Sequence, residues 1–327
     1  MELVYFILLC IYGFTLILLN NKNLIKYTYI PFFICFLIIV RISGYDVDIN
    51  TYSTIMQADY FSFDMMREFV FWGSIRSLYS LFNNDLLVFI FIDLFWIYLY
   101  YKVIQKYTQT FKYRFDILFI VFTLSFPFLL GYENIIRQHI AFIIFLYAYI
   151  IRYSSANKSN FIFLLSILVH NSMLVFLPLL ILIRFSSFTY KQRFNLFLVL
   201  SVIFTLLLLI MSKFKSNTST GLDFSIIYLA IFFSVFYILF MKYRFKILKT
   251  IRKFPALFLA ILYIGTLVIM GNSSQAERLG MIFLLLSTIE YFQYIQKFIF
   301  KRYIYLLIFL VLVVPIFIFG STMKFLT

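Results

Sequence analysis

Apolar runs follow one another along almost the whole chain, at about 2–20, 24–40, 85–101, 115–131, 138–151, 161–184, 194–212, 224–241, 255–270, 279–296 and 303–320. A shorter run, about 68–82, contains Arg76. A helix needs roughly 20 residues to cross the hydrocarbon core of a bilayer. Lipid admits only helices and closed barrels, because every backbone polar group must be satisfied within the protein. Runs this long predict an all-α, polytopic integral membrane protein of about 10–12 transmembrane or re-entrant segments. The composition agrees, with 13% charged residues and 64% hydrophobic ones where a soluble domain carries about 25% charged. No linker, soluble domain or internal repeat interrupts the pattern. A single membrane domain over 1–327 is therefore expected, with its largest hydrophilic loop at about 41–67.

The net charge of +15 would suggest a nucleic-acid partner in a soluble protein. Here most Lys and Arg residues collect in six loops, around 22–26, 102–114, 152–158, 184–193, 242–253 and 297–302. Most acids fall between the other ends, including Asp46, Asp48, Asp59, Asp64, Glu68, Glu133, Asp223 and Glu277. Basic loops stay on the cytoplasmic side, so this distribution predicts topology and no nucleic acid. The parity it imposes makes 68–82 re-entrant or flat at the interface. It also makes 161–184 a helical hairpin that turns near His170 and Asn171. Irregular backbone at membrane depth must be buried in protein or line a wet cavity, which places His170 beside such a cavity. The first run lacks the basic flank of a signal peptide, and the first helix is expected to stay attached.

With that threading, the outward side collects Arg41, Asp46, Asp48 and Tyr52, then Arg67 and Glu68. Glu133, Arg137, Gln138 and His139 follow, then His170, Asn171 and Ser172, and finally Glu277 and Arg278. Arginines suit phosphate oxygens because the guanidinium keeps its charge and presents a planar fork. Carboxylates and imidazole suit the proton traffic of a hydroxyl group. The set predicts a lipid-linked phosphate as ligand. Structural readings stand beside these. Glu133 and Arg137 are spaced i,i+4 and would form a helix-face salt bridge. Arg41 and Arg67 would snorkel to headgroups. Asp93, mid-run in "FIFIDLFWIY", would serve structural hydrogen bonding, and His139 would be an interfacial helix residue. Cys10 and Cys35 form neither a disulfide framework nor a metal spacing. With no GxxxxGK[ST] loop and no HExxH, no metal and no cofactor is expected.

"GYDVDINTY", Glu68, "NIIRQHIAF", "LVHNSMLVFLPL" and "ERLGMIF" occur in an order that resembles the EpsG-like family of bacterial exopolysaccharide proteins, related in role to Wzy-type O-antigen and capsule polymerases. The resemblance runs from about residue 41 to 290. It implies a multi-pass protein of the bacterial cytoplasmic membrane that joins oligosaccharide repeat units carried on undecaprenyl diphosphate. By family pattern the matching positions are Gly44, Asp46, Tyr52, Glu68, Arg137, Gln138, His170, Ser172 and Arg278. The expected catalytic residues are His170, Asp46 and Glu68. Arg41, Tyr52, Arg137, Gln138, Ser172 and Arg278 are expected to bind substrate. The expected partners are the lipid-linked oligosaccharide, membrane lipids, a chain-length regulator and a flippase. Two other readings stay open: a ligase or other lipid-linked-sugar glycosyltransferase, and a lipid-linked oligosaccharide flippase or transporter.

Overall fold

The computed structural model describes residues 1–19, 21–43, 47–58, 63–112, 116–133, 135–183, 188–214, 224–296, 300–318 and 326. Gly44 and Asp46 lie outside them, and so do the side chain of Asp48 and the residue Asp223. The described residues are helical and form no strand. This is an all-α, multi-pass membrane protein. Six helices are long and apolar enough to cross a bilayer, and up to eight if each of two bent pairs is one span.

The chain opens with α1 (Glu2–Leu19) and the short α2 (Lys22–Leu24). A π-turn over Ile25–Tyr29 leads into α3 (Ile30–Ser43). The π-turn directly precedes Pro31, whose ring and missing N–H conflict with the regular i−4 bond. Next come α4 (Val47–Gln57), α5 (Phe63–Arg67), α6 (Phe69–Phe82) and α7 (Asp85–Phe111). Asn83 ends α6 at φ 47°, and the Asn84 side chain caps α7 by accepting from the Leu87 N–H at 3.1 Å. The run read as 115–131 is two helices, α8 (Asp116–Thr123) and α9 (Phe126–Glu133), bent by 67°. Pro127 at the start of α9 cannot supply an interior N–H, so the helix breaks before it. Then follow α10 (Ile136–Ile151), α11 (Ala156–Val169), a 3-10 turn over Asn171–Phe176 and α12 (Leu177–Ile183). The last helices are α13 (Tyr190–Phe214), α14 (Ser225–Lys242), α15 (Ile247–Lys253), α16 (Pro255–Ile269), α17 (Ser273–Ile295) and α18 (Lys301–Ile318).

The sequence reading treats the chain as one membrane domain; its contacts group it into two compact units. The first holds Met1–Leu174 and Ile295–Thr327. In it α10 packs on α7 and α11, α6 packs on α4, α7 and α11, and α18 joins α1 and α9. Its centre is aromatic. Trp96 stacks on Tyr132 at 6.0 Å between ring centroids, and Tyr100 stacks on Phe119 at 5.2 Å. Tyr29 Oη meets Thr123 Oγ1 at 2.7 Å. Such packing and hydrogen bonding hold helices together where lipid removes the hydrophobic drive between them.

The second unit, Val175–Tyr294, packs α13 on α12 and α16, and α14 on α15 and α16. Glu277 accepts from the Phe224 N–H at 2.8 Å and so fixes the start of α14. A Cβ at Gly280 would come within 2.6 Å of the Tyr228 ring, so the glycine lets α17 approach α14. Gly271, at φ 70°, reverses the chain after α16, and the Asn272 N–H closes the turn on Leu267 O at 2.9 Å.

The helix break at His170 falls inside the apolar stretch, as expected from sequence. The expected hairpin has one arm in each unit: α11 packs on α10 and α6, and α12 on α13.

Candidate functional site

Glu68 lies between α5 and α6 with φ −125° and ψ 43°, and its side chain does not cap α6. The carboxylate instead reaches across to α10. Its Oε2 accepts from Arg137 Nη1, and its Oε1 lies 3.6 Å from His170 Nε2. One carboxylate thus stands between a guanidinium and an imidazole that are each far from it in sequence, Arg137 by 69 residues.

Arg137 sits in the first turn of α10, where the helix dipole disfavours a cation. Three neighbours offset this. Glu68 supplies charge, Tyr52 Oη accepts from Nε at 3.3 Å, and Trp72 presents its ring face 4.9 Å from Cζ. The Tyr52 ring lies 5.7 Å away. Cations over aromatic faces are held by the ring quadrupole. The Arg137 side chain remains 32% exposed and that of Glu68 9%, so the guanidinium forms the open end of the cluster. A bare helix N-terminus with an arginine attracts anions for the same reason it disfavours cations.

His170 closes the other end. Its backbone is extended (φ −154°, ψ 119°) where α11 stops. Its Nδ1 accepts from the Ser172 N–H at 3.2 Å and lies 2.7 Å from Ser172 Oγ. A backbone N–H can only donate, so Nδ1 carries the lone pair and Nε2 the proton of the neutral ring. That proton faces Glu68. At 3.6 Å this is close contact rather than a formed hydrogen bond. His170 therefore sets the 3-10 turn beside Glu68, and the carboxylate is the group with basic lone pairs to offer.

The structure thus brings together Tyr52, Glu68, Arg137, His170 and Ser172. Trp72 joins them. The sequence signal for it was its position four residues after Glu68, one turn into α6. Gln138 is buried, turned about 100° around α10 from Arg137. Arg278 is exposed on α17 in the second unit. Asp46 lies outside the described residues.

Arg41 is in a different setting. It is buried at 4% exposure, with Nε 2.7 Å from Asp93 Oδ2, Nη2 3.0 Å from Oδ1 and Nη2 donating to Tyr132 O at 2.6 Å. Trp96 Nε1 donates to the same carboxylate at 2.9 Å. Snorkelling does not describe Arg41; it forms a buried bidentate pair that pins the end of α9 just ahead of Arg137. Asp93 is structural, as expected, and Arg41 is its partner. Glu133 and Arg137 do not share a helix face, because the chain breaks between α9 and α10. His139 is buried rather than interfacial, edge-on to Phe128 at 4.4 Å and to Trp96 at 4.9 Å.

Among the described residues no group of His, Cys, Asp and Glu has a metal-binding arrangement. Comparison with protein-family models, with curated proteins and with solved structures gives no match for this chain.

Proposed function

We propose that this chain is a membrane glycosyltransferase that polymerises oligosaccharide repeat units carried on undecaprenyl diphosphate, at the outer face of the bacterial cytoplasmic membrane. The observation that carries the reading is the sharing of Glu68 between Arg137 and His170. The resemblance in the ordered motifs supplies the substrate class. A diphosphate arriving at Arg137 competes with Glu68 for the guanidinium. Its arrival frees the carboxylate beside the site where the second substrate must come. The hydroxyl of a second lipid-linked unit gives its proton to Glu68 while its oxygen bonds to the donor's anomeric carbon. The bond from that carbon to the diphosphate oxygen breaks, and undecaprenyl diphosphate leaves with the electron pair. Arg137 neutralises the charge that grows on it, the kind of stabilisation that is commonly the largest single contribution to catalysis. Tyr52 and Trp72 hold Arg137 in place, and Ser172 orients His170 beside Glu68. A chain-length regulator and a flippase are the partner proteins this role calls for.

The test uses purified protein with lipid-linked repeat units, reading glycan length and substrate binding in parallel. Glu68→Gln keeps size and hydrogen bonding but removes the base. Turnover is expected to fall about 10²–10⁴-fold, and by less in His170→Gln. Full-length glycan at normal rate from Glu68→Gln would sink the reading. The helix pair α8 and α9, bent by 67°, favours a flippase as the second reading, since transporters bind at broken helices. Deletion separates the two. Single repeat units on the cell surface mean lost polymerisation, and lipid-linked units trapped inside mean lost flipping.

A further inference from the structure

The turn between α14 and α16 carries six basic residues and no acid over 242–253: Lys242, Arg244, Lys246, Lys249, Arg252 and Lys253. We propose that this turn is a binding surface for anionic phospholipid headgroups, seated on the leaflet into which α14 and α16 emerge. The reading does not depend on the reaction proposed above.

Geometry points to it first. α16 belongs to a candidate span, and α15 is bent 102° away from it. A short helix nearly perpendicular to a span, at the span's end, lies along the membrane surface. The backbone that sets it there is specific. The Phe245 N–H bonds back to Phe240 O at 3.0 Å, and Arg244 and Phe245 adopt φ of 53° and 61°. Two consecutive left-handed residues with side chains cost stability. The Phe240–Phe245 edge contact at 5.3 Å helps to hold them, as in a helix-ending Schellman turn.

Chemistry points the same way. Phe245, Ile247 and Leu248 are more than half exposed beside exposed Lys246, Lys249, Arg252 and Lys253. Apolar side chains ringed by cations match a boundary where acyl chains meet phosphate. Among the described residues, Arg244, Lys246, Lys249, Arg252 and Lys253 form no ion pair. The nearby acid Glu290 is turned to the start of α16, where it accepts from the Ala256 N–H at 3.0 Å. Several cations are instead held over rings. Arg252 lies 4.8 Å from Phe194, and Lys253 and Lys249 lie 5.3 and 5.5 Å from Tyr243. The positive charge of Arg244, Lys246, Lys249, Arg252 and Lys253 is thus left for an outside anion to compensate.

The test uses the full-length chain with Cys10 and Cys35 replaced by Ala and Leu248→Cys carrying an environment-sensitive fluorophore. It is reconstituted in vesicles of phosphatidylcholine, with or without phosphatidylglycerol. Native mass spectrometry of the purified chain reads retained lipid. The expected result is deeper, more lipid-shielded emission with phosphatidylglycerol, reversed by salt, and retention of phosphatidylglycerol over phosphatidylcholine. Replacing Lys246, Lys249, Arg252 and Lys253 by Gln should weaken that preference by about fivefold per cation removed, the effect usual for a basic residue at an anionic surface. Should the fourfold variant not fold, Lys246→Gln with Lys249→Gln makes the same comparison. Equal emission and equal retention in the two lipids overturn the proposal. A shift seen only in native membranes, and not in phosphatidylglycerol vesicles, overturns it in favour of an acidic protein partner.

Discussion

The buried pair of Arg41 and Asp93 shows how one residue acts on another it does not resemble in sequence. Either charge alone in this position is costly, and removing one partner of a buried pair typically costs about 3–5 kcal/mol. Arg41→Ala is expected to lower thermal stability in detergent by an amount in that range. Arg41→Met with Asp93→Leu should recover most of it, because the two losses are not additive. A double variant as unstable as the sum of the singles would show that the pair is not coupled. Glycines divide by what they face. A Cβ at Gly131 would lie 2.5 Å from His139 Nδ1, a ring wedged between Phe128 and Trp96. At Gly13 the nearest atoms are the methyl ends of Ile120 and Leu124, at 2.8 and 2.9 Å. Methyl ends rotate away and a wedged ring does not. Gly131→Ala should therefore cost roughly 1–3 kcal/mol, and Gly13→Ala clearly less, in the same melting assay. At this scale the sequence marked Asp93 as an intramembrane acid with a structural role. It could not mark Arg41 as its partner, because they are 52 residues apart and only the packing of α3 on α7 joins them.

Elements position the cluster through their ends rather than their middles. Glu68 stands between α5 and α6, Arg137 in the first turn of α10, and His170 at the end of α11. Tyr52 is the exception, mid-helix in α4, so α4 itself must be held. Arg76 does this by donating from α6 to Ala58 O, just past the end of α4. Arg76→Gln is expected to raise amide exchange in residues 50–57 by about an order of magnitude, since terminal hydrogen bonds set local opening, while α7 stays protected. Unchanged exchange in α4 would remove Arg76 from this role. The breaks were partly legible. The interruption at His170 followed from polar residues inside an apolar stretch. The break before Pro127 carried its own signal, a proline two residues after Ser125, but the apolar run on either side concealed it. The pairing of Glu68 with Arg137 was hidden by a closer alternative, since Glu133 sits four residues before Arg137 and reads as its partner until the helix is seen to break between them.

At the scale of the molecule, the helical, multi-pass character was legible because it rests on apolar length alone. The grouping into two units was not, since nothing in composition changes at Leu174 or Tyr294, and α18 joins α1 only through contacts that span the chain. Charge asymmetry remains the property that orients the whole. The 242–253 turn carries six cations and no acid, whereas Asp46, Asp48, Asp59 and Asp64 share the 41–67 stretch with only Arg41 and Arg67. Moving one positive charge outward against a potential of 100 mV, negative inside, costs about 2.3 kcal/mol, so the basic turn is expected inside and α4 outside. The prediction is read with single cysteines in a chain freed of Cys10 and Cys35. Asn50→Cys, exposed on α4, should react with an impermeant maleimide in intact cells. Leu248→Cys should react only after the membrane is opened. Reaction of Leu248→Cys in intact cells would place the basic turn outside, and failure of Asn50→Cys to react there would take from α4, which carries Tyr52, the outward orientation on which the proposed reaction depends.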